Sequence, residues 1–127
     1  GFSLSDRIMG IVGFGRLGRA VAARAQAFGM SVLVYDPYID LSFARQRGVE
    51  VLDFPELLAR ADVLSLHTIY TEQTHHLMNA ETFAQMKAGS YFLNITHIDF
   101  MYFCKILMSQ ICDCEALHTK KANCKYY

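Results

Sequence analysis

The chain has no excess of either charge. Its 127 residues carry 12 Lys and Arg against 12 Asp and Glu, a formal net charge of zero. Without a basic field it cannot hold a phosphate backbone in the usual way, and no nucleic-acid partner is expected. It has no run of about 18 uncharged apolar residues, so neither a membrane span nor a membrane partner is expected. The first residues, Gly1 to Arg7, have no initiator Met and lack the basic-then-apolar order of a secretion signal, so the chain reads as a piece of something longer. With 53 % hydrophobic and 19 % charged residues, the composition is that of a globular protein and not of a disordered one. The length suits one domain and not two.

Other scarcities are local. No Gly or Pro follows Gly89, no Cys precedes Cys104, and the last 32 residues contain four Lys and no Arg. A single domain rarely changes usage so sharply. The expected organisation is a partial domain over residues 1–95 and a divergent tail without clear fold over residues 96–127. Within the tail, residues 98–112 are mostly apolar without a clear polar face. Cys112, Cys114, His118 and Cys124 form C-x-C-x₃-H-x₅-C, and thiols with imidazole are zinc ligands. The one-residue spacing departs from the usual two to four and no glycine knuckle is present. The reading is therefore unpaired thiols, and no metal site is assigned. The adjacent pair His75 and His76 is expected to point its rings apart, against bidentate metal binding.

Before residue 95, strand and helix signals alternate. Ile8 to Val12 is a short apolar run ending at Gly13. Leu17, Ala20, Val21, Ala25 and Phe28 then recur at helical spacing up to Gly29. Val32 to Tyr35 reads as a strand closed by Asp36-Pro37, residues 41–47 as a short helix ended by Gly48, and Val49 to Leu52 as a short strand. Asp53 and Glu56 predict a capping box for a helix over Leu57, Leu58 and Ala61. Val63 to Leu66 is a further strand, Asn79 caps a helix through Phe83 and Met86, and Tyr91 to Ile95 is the last strand. Alternation of this kind predicts an α/β architecture, an open doubly wound parallel sheet with ligands bound beyond its carboxyl edge.

Gly13-Phe14-Gly15-Arg16-Leu17-Gly18 is G-x-G-x-x-G placed between a strand and a helix, with Asp36 at the end of the next strand. That context predicts a dinucleotide site. Gly13 allows the tight turn, Gly15 lets the backbone approach a pyrophosphate, and Gly18 lets helix and strand pack closely. The amides around Arg16 and Leu17 lie at a helix N-terminus, which favours an anion. Asp36 can accept the ribose hydroxyls of adenosine and would repel a 2′-phosphate, so the expected cofactor is NAD rather than NADP. Arg19 and Arg24 are read as part of a solvated helix face.

With these residues placed, the sequence resembles the D-isomer-specific 2-hydroxyacid dehydrogenases. Gly10 through Gly18, Ala27-Phe28-Gly29-Met30, Tyr35-Asp36-Pro37-Tyr38, Asp62 through His67, His76-Leu77-Met78-Asn79 and Met86 through Asn94 are similar to successive blocks of that family. The resemblance implies a Rossmann-type sheet, incomplete here, with Arg16 and Leu17 at the pyrophosphate, Asp36 at the ribose and Thr68 lining the cleft. It also implies NAD-linked oxidation of a small 2-hydroxy acid by the parent enzyme, a homodimeric parent and a cytoplasmic setting.

The resemblance stops at Asn94-Ile95-Thr96-His97, where the family has an arginine for the substrate carboxylate and carbonyl. The Glu–His pair for proton transfer has no matching segment, and Ile69 stands where the family has proline. Hydride transfer to a 2-keto acid needs a proton donor and a cation. No catalytic residue is therefore assigned, and the chain alone is expected to bind NAD weakly at most and to show no turnover. The alternative is a binding module: His75-His76 is similar to a pair in the C-terminal-binding-protein corepressors, NAD sensors that would not need the arginine.

Overall fold

The computed structural model describes residues 3–96 and 123–124. Five strands follow one another with helices between them: β1 (Ile8–Val12), α1 (Arg16–Ala27), β2 (Ser31–Tyr35), α2 (Leu41–Gln46), β3 (Glu50–Val51), α3 (Phe54–Arg60), β4 (Val63–Leu66), α4 (Ala80–Gln85) and β5 (Tyr91–Asn94). A sixth strand, β6 (Asn123–Cys124), completes the order β3-β2-β1-β4-β5-β6, and all the pairings are parallel. The chain runs outward from β1 through β2 to β3, then returns to the other side of β1 as β4. This reversal makes the carboxyl ends of β1 and β4 the switch point where an open α/β sheet binds ligands.

The strands are apolar on both faces because both faces are covered. Ile11, Val32, Val34 and Val63 pack on one side with Ala22 and Ala25 of α1 and Ala44 of α2. Val12, Leu33, Leu64 and Leu66 pack on the other with Leu57 and Leu58 of α3, Met78 and Met86. Gly10 is needed on the second face, since a Cβ there would lie 2.7 Å from that of Ala61.

The caps differ from the sequence reading in one respect. Asp53 accepts from Glu56 N–H at 3.0 Å, but Glu56 turns to Arg60, 3.7 Å away, so α3 has half a capping box. The reciprocal box belongs to α4, where Asn79 and Thr82 each accept the other's backbone N–H. The strands differ too: β2 begins one residue earlier than expected, at Ser31, and β3 is shorter by one residue at each end. β5 stops at Asn94, whose carboxamide oxygen accepts from the N–H and hydroxyl of Thr96, and Ile95 lies outside the strand. No strand was expected after β5, yet Asn123 and Cys124 pair with Tyr91 and Phe92. Parallel pairing satisfies backbone groups and needs no side-chain pattern, and two residues are too few to show an apolar period. The apolar run at 98–112, His97, Cys112, Cys114 and His118 lie outside the described residues.

Candidate functional site

The three motif glycines have different surroundings. Gly13, at the end of β1, has φ +93°, and a Cβ there would lie 2.8 Å from the His67 carbonyl oxygen at the end of β4. Its N–H donates to Tyr35 C=O at 2.9 Å, so this one residue joins the ends of β1, β2 and β4. A Cβ on Gly18 would overlap the Gly13 carbonyl oxygen and lie 3.3 Å from Ile11 Cγ2, so α1 can rest on β1 only with glycine at that position. Gly15 is different: a Cβ there would meet nothing within 4 Å. Its backbone is extended, at φ −76° and ψ −163°, a conformation open to any residue. Packing and conformation within the protein therefore explain Gly13 and Gly18 but not Gly15.

Gly15 is also the N-cap of α1, without a side-chain capping bond and without an acidic residue in the first turn. The first bond of the helix runs from Arg19 N–H to Gly15 C=O at 3.0 Å. The N–H groups of Arg16, Leu17 and Gly18 thus have no partner within the helix, as expected for a first turn. Arg16 and Leu17 are exposed there and Gly18 is buried. An open cradle before amides without a partner in the helix, at the positive end of its 12 residues, suits an anion.

Asp36 follows β2 and faces the loop. Its Oδ2 accepts from Phe14 N–H at 2.8 Å and its Oδ1 from Tyr38 N–H at 2.9 Å. Each carboxylate oxygen has a second lone pair, so both retain capacity for a hydroxyl. Thr68 follows β4, with its Oγ1 buried and without a partner among the described residues. Next to it, His67 shares a 2.8 Å hydrogen bond between Nε2 and Ser65 Oγ, while its Nδ1 is likewise buried without a partner among the described residues. Burial holds the His67 imidazole below its ordinary pKa, favouring the neutral ring. Unpartnered buried polar atoms are costly, and these lie at the switch point where a polar ligand could pair with them.

All seven residues singled out in the sequence, Gly13, Gly15, Arg16, Leu17, Gly18, Asp36 and Thr68, therefore belong to the loops and the helix end beyond β1, β2 and β4. Three features were missed. Phe14, an unspecified position in the motif, is 3 % exposed and carries the N–H that Asp36 grips. Arg19 is not merely on a solvated face, because its Nε donates to Phe14 C=O at 3.0 Å. His75 and His76 do not point apart. His76 adopts φ +55°, which brings the two rings into a stack with centroids 3.7 Å apart, and His75 Nδ1 lies 2.6 Å from the Tyr70 hydroxyl. The Phe14 pattern is visible in sequence only as one aromatic letter, and the His76 backbone has no sequence signal. Among the described residues no group of three or more His, Cys, Asp or Glu is placed to hold a metal ion, and no helix is long and apolar enough to cross a membrane.

A family model described as D-isomer specific 2-hydroxyacid dehydrogenase, NAD binding domain, matches residues 1–101. The D-3-phosphoglycerate dehydrogenase of Mycobacterium leprae is 43 % identical over 94 residues, covering 74 % of this chain and 18 % of that protein. A glyoxylate reductase of Korarchaeum cryptofilum is 40 % identical over 94 residues, covering 28 % of its own length. Among solved structures, the apo form of D-lactate dehydrogenase from Escherichia coli superposes with a TM-score of 0.81 at 33 % identity, covering 100 % of this chain and 39 % of that one. The D-lactate dehydrogenase of Aquifex aeolicus, complexed with NAD and lactic acid, gives 0.79 at 33 % identity, covering 87 % and 33 %. The chain spans 18 to 28 % of the curated relatives named here.

Proposed function

The chain belongs to the D-isomer specific 2-hydroxyacid dehydrogenase family, matching its NAD-binding domain, and from that premise we propose that it holds NAD across the ends of β1, β2 and β4. The amides of Gly15, Arg16, Leu17 and Gly18 face the pyrophosphate, and Gly13 fixes the turn that presents them. Asp36 accepts the adenosine ribose hydroxyls, and Thr68 Oγ1 pairs with the cofactor along the cleft. The observation that carries this reading is Gly15, a glycine whose missing Cβ would have nothing within 4 Å among the described residues beyond its own chain neighbours and helix backbone. Its openness is accounted for by close approach of a ligand to the backbone.

When bound, NAD supplies a hydride acceptor. These residues bind it and orient it, and none of them is given a catalytic role. A small 2-hydroxy acid as the substrate of the parent enzyme, a homodimeric parent and a cytoplasmic setting belong to the same proposal. The substrate class is supported by the family and by what its relatives are named for, and the homodimeric parent and the cytoplasmic setting are carried by the family resemblance alone. The partial domain over 1–95 is proposed as the unit that carries the site.

Amide NMR titration with NAD tests the reading, since it detects even roughly millimolar affinity, about −4 kcal/mol. Shifts are expected at Gly15 to Gly18 and around Asp36 and Thr68, and smaller ones with NADP. Absence of shifts at those amides at saturating NAD overturns it.

A further inference from the structure

The glycine loop is held from two sides, and only one of them is the carboxylate that the motif leads one to expect. Asp36 takes the N–H of Phe14 at 2.8 Å. Arg19, one turn into α1, takes its C=O through Nε at 3.0 Å. Both backbone polar groups of Phe14, in the peptides on either side of its Cα, are thus fixed by charged side chains, one of each sign, and charge-assisted bonds are the strong class.

Arg19 is itself positioned by a second element. Its guanidinium carbon lies 4.4 Å from the centroid of Phe43, in α2, and 5.9 Å from that of Phe14. The Phe43 ring is tilted against Phe14 with centroids 6.2 Å apart, and Arg47 also lies over it at 4.8 Å. A cation over an aromatic face is attractive, and the planar guanidinium can stack while its Nε–H points elsewhere. An ammonium in the same place could not do both.

We propose that Arg19, lying over the Phe43 ring and donating Nε–H to the Phe14 carbonyl, is a positioning residue that fixes the glycine loop and couples α2 to it. The consequence for cofactor rests on the NAD reading of the site. The orientation of the Phe14–Gly15 peptide sets where the following amides point, so loosening it weakens any ligand held by those amides. A ligand held only at the ribose is spared.

The experiment uses the full chain and two independent readouts. The first is hydrogen exchange without ligand. Arg19→Met keeps the stem and removes both the donor and the cation, and about tenfold faster exchange is expected at the Phe14 amide, with β1 and β4 amides unchanged. Phe43→Leu removes the platform and is expected to give a smaller acceleration at the same amide. Arg19→Lys keeps the cation over the ring and is expected to fall between wild type and Arg19→Met. The second readout is binding: NAD affinity falls about tenfold in Arg19→Met, while that of adenosine, which has no pyrophosphate, does not change.

Unchanged Phe14 exchange in Arg19→Met overturns the proposal. So does equal acceleration of Phe14 and the strand amides, which marks a general structural role. If Arg19→Met does not fold, Phe43→Leu decides by the same comparison of Phe14 with the strands. Faster Phe14 exchange in a chain whose wild type shows no NAD-dependent shifts upholds the coupling and rejects the NAD reading. Faster exchange with unchanged NAD affinity rejects the positioning role for the cofactor and leaves the NAD reading standing.

Discussion

Alanine at Gly15 and alanine at Gly18 add the same methyl group three residues apart, and they should do opposite things. At Gly18 the new Cβ overlaps the Gly13 carbonyl oxygen, a backbone atom that cannot rotate away, and crowds Ile11 Cγ2 at 3.3 Å. Helix α1 must lift from β1, and overpacking of this kind costs about 1–3 kcal/mol. For a domain of this size each kcal/mol is worth about 4–8 °C in Tm, so Gly18→Ala should melt about 4–24 °C below wild type. At Gly15 the methyl enters open space and the backbone is already in an extended conformation. Loss of glycine from the N-cap costs about 1 kcal/mol, and the stiffer unfolded chain returns about 0.4–1 kcal/mol, so net stability changes little. The same methyl stands where the pyrophosphate would approach, and NAD affinity should fall at least about tenfold, or 1.4 kcal/mol. Urea unfolding followed by circular dichroism reads the first quantity and amide NMR titration the second. A Gly15→Ala chain that binds NAD as wild type does, or a Gly18→Ala chain as stable as wild type, refutes the reasoning that separates the two positions.

Four further outcomes follow from the same geometry. Asp36→Ala should weaken NAD and narrow its preference over NADP, and competition titrations showing an unchanged ratio would count against Asp36 as the ribose partner. His67 is held below its ordinary value of 6.5 by burial, so the unfolded chain takes up a proton first. Stability should therefore decline as pH falls through 6.5, with the decline absent in His67→Gln, and parallel urea midpoints for both chains from neutral pH downward would contradict this. Burial raises the Asp62 pKa, but the hydrogen bonds from Lys87 and Ile8 N–H and the nearby charges of Lys87 and Arg7 bring it below 3.8 overall. Its contribution, about 1–2 kcal/mol given the exposed lysine, is present above 3.8 and lost as pH falls through the lower folded value, so the stability gap between wild type and Asp62→Asn should close in acid. The chain alone should not oxidise D-lactate, D-glycerate or 3-phosphoglycerate, and NADH appearing above the no-enzyme rate would show otherwise.

Much of the fold is legible because each element announces itself by a different physical rule. Val32 to Val34 must be apolar to be covered on both faces, Gly29 and Gly48 end helices with φ of +82° and +67°, and Asn79 has the chemistry of a cap. The glycine motif is legible because only glycine satisfies the Gly13 turn and the Gly18 contact. What sequence conceals is where a side chain turns once its element is built. Glu56 has the spacing to complete a capping box and pairs with Arg60 instead. Arg19 sits at a position that helical periodicity gives to solvent, and only the approach of α2 brings the Phe43 ring beneath it. The pairing of Asn123 and Cys124 with β5 lies beyond periodicity altogether, since backbone hydrogen bonds leave no trace in two residues.

Asp36 has a consequence for how the cofactor preference of such a domain could change over time. Exchange of one acidic residue for a small or basic one is the simplest route to tolerance of a 2′-phosphate. Here that residue also anchors Phe14, so on the proposed reading the exchange unties the glycine turn as it opens the ribose site. A lineage moving toward NADP would pass through a form with poorer affinity for both cofactors. It could escape that valley by first gaining another hydrogen-bond acceptor for Phe14 N–H. On that reading, preference for NAD is protected by architecture as well as by charge.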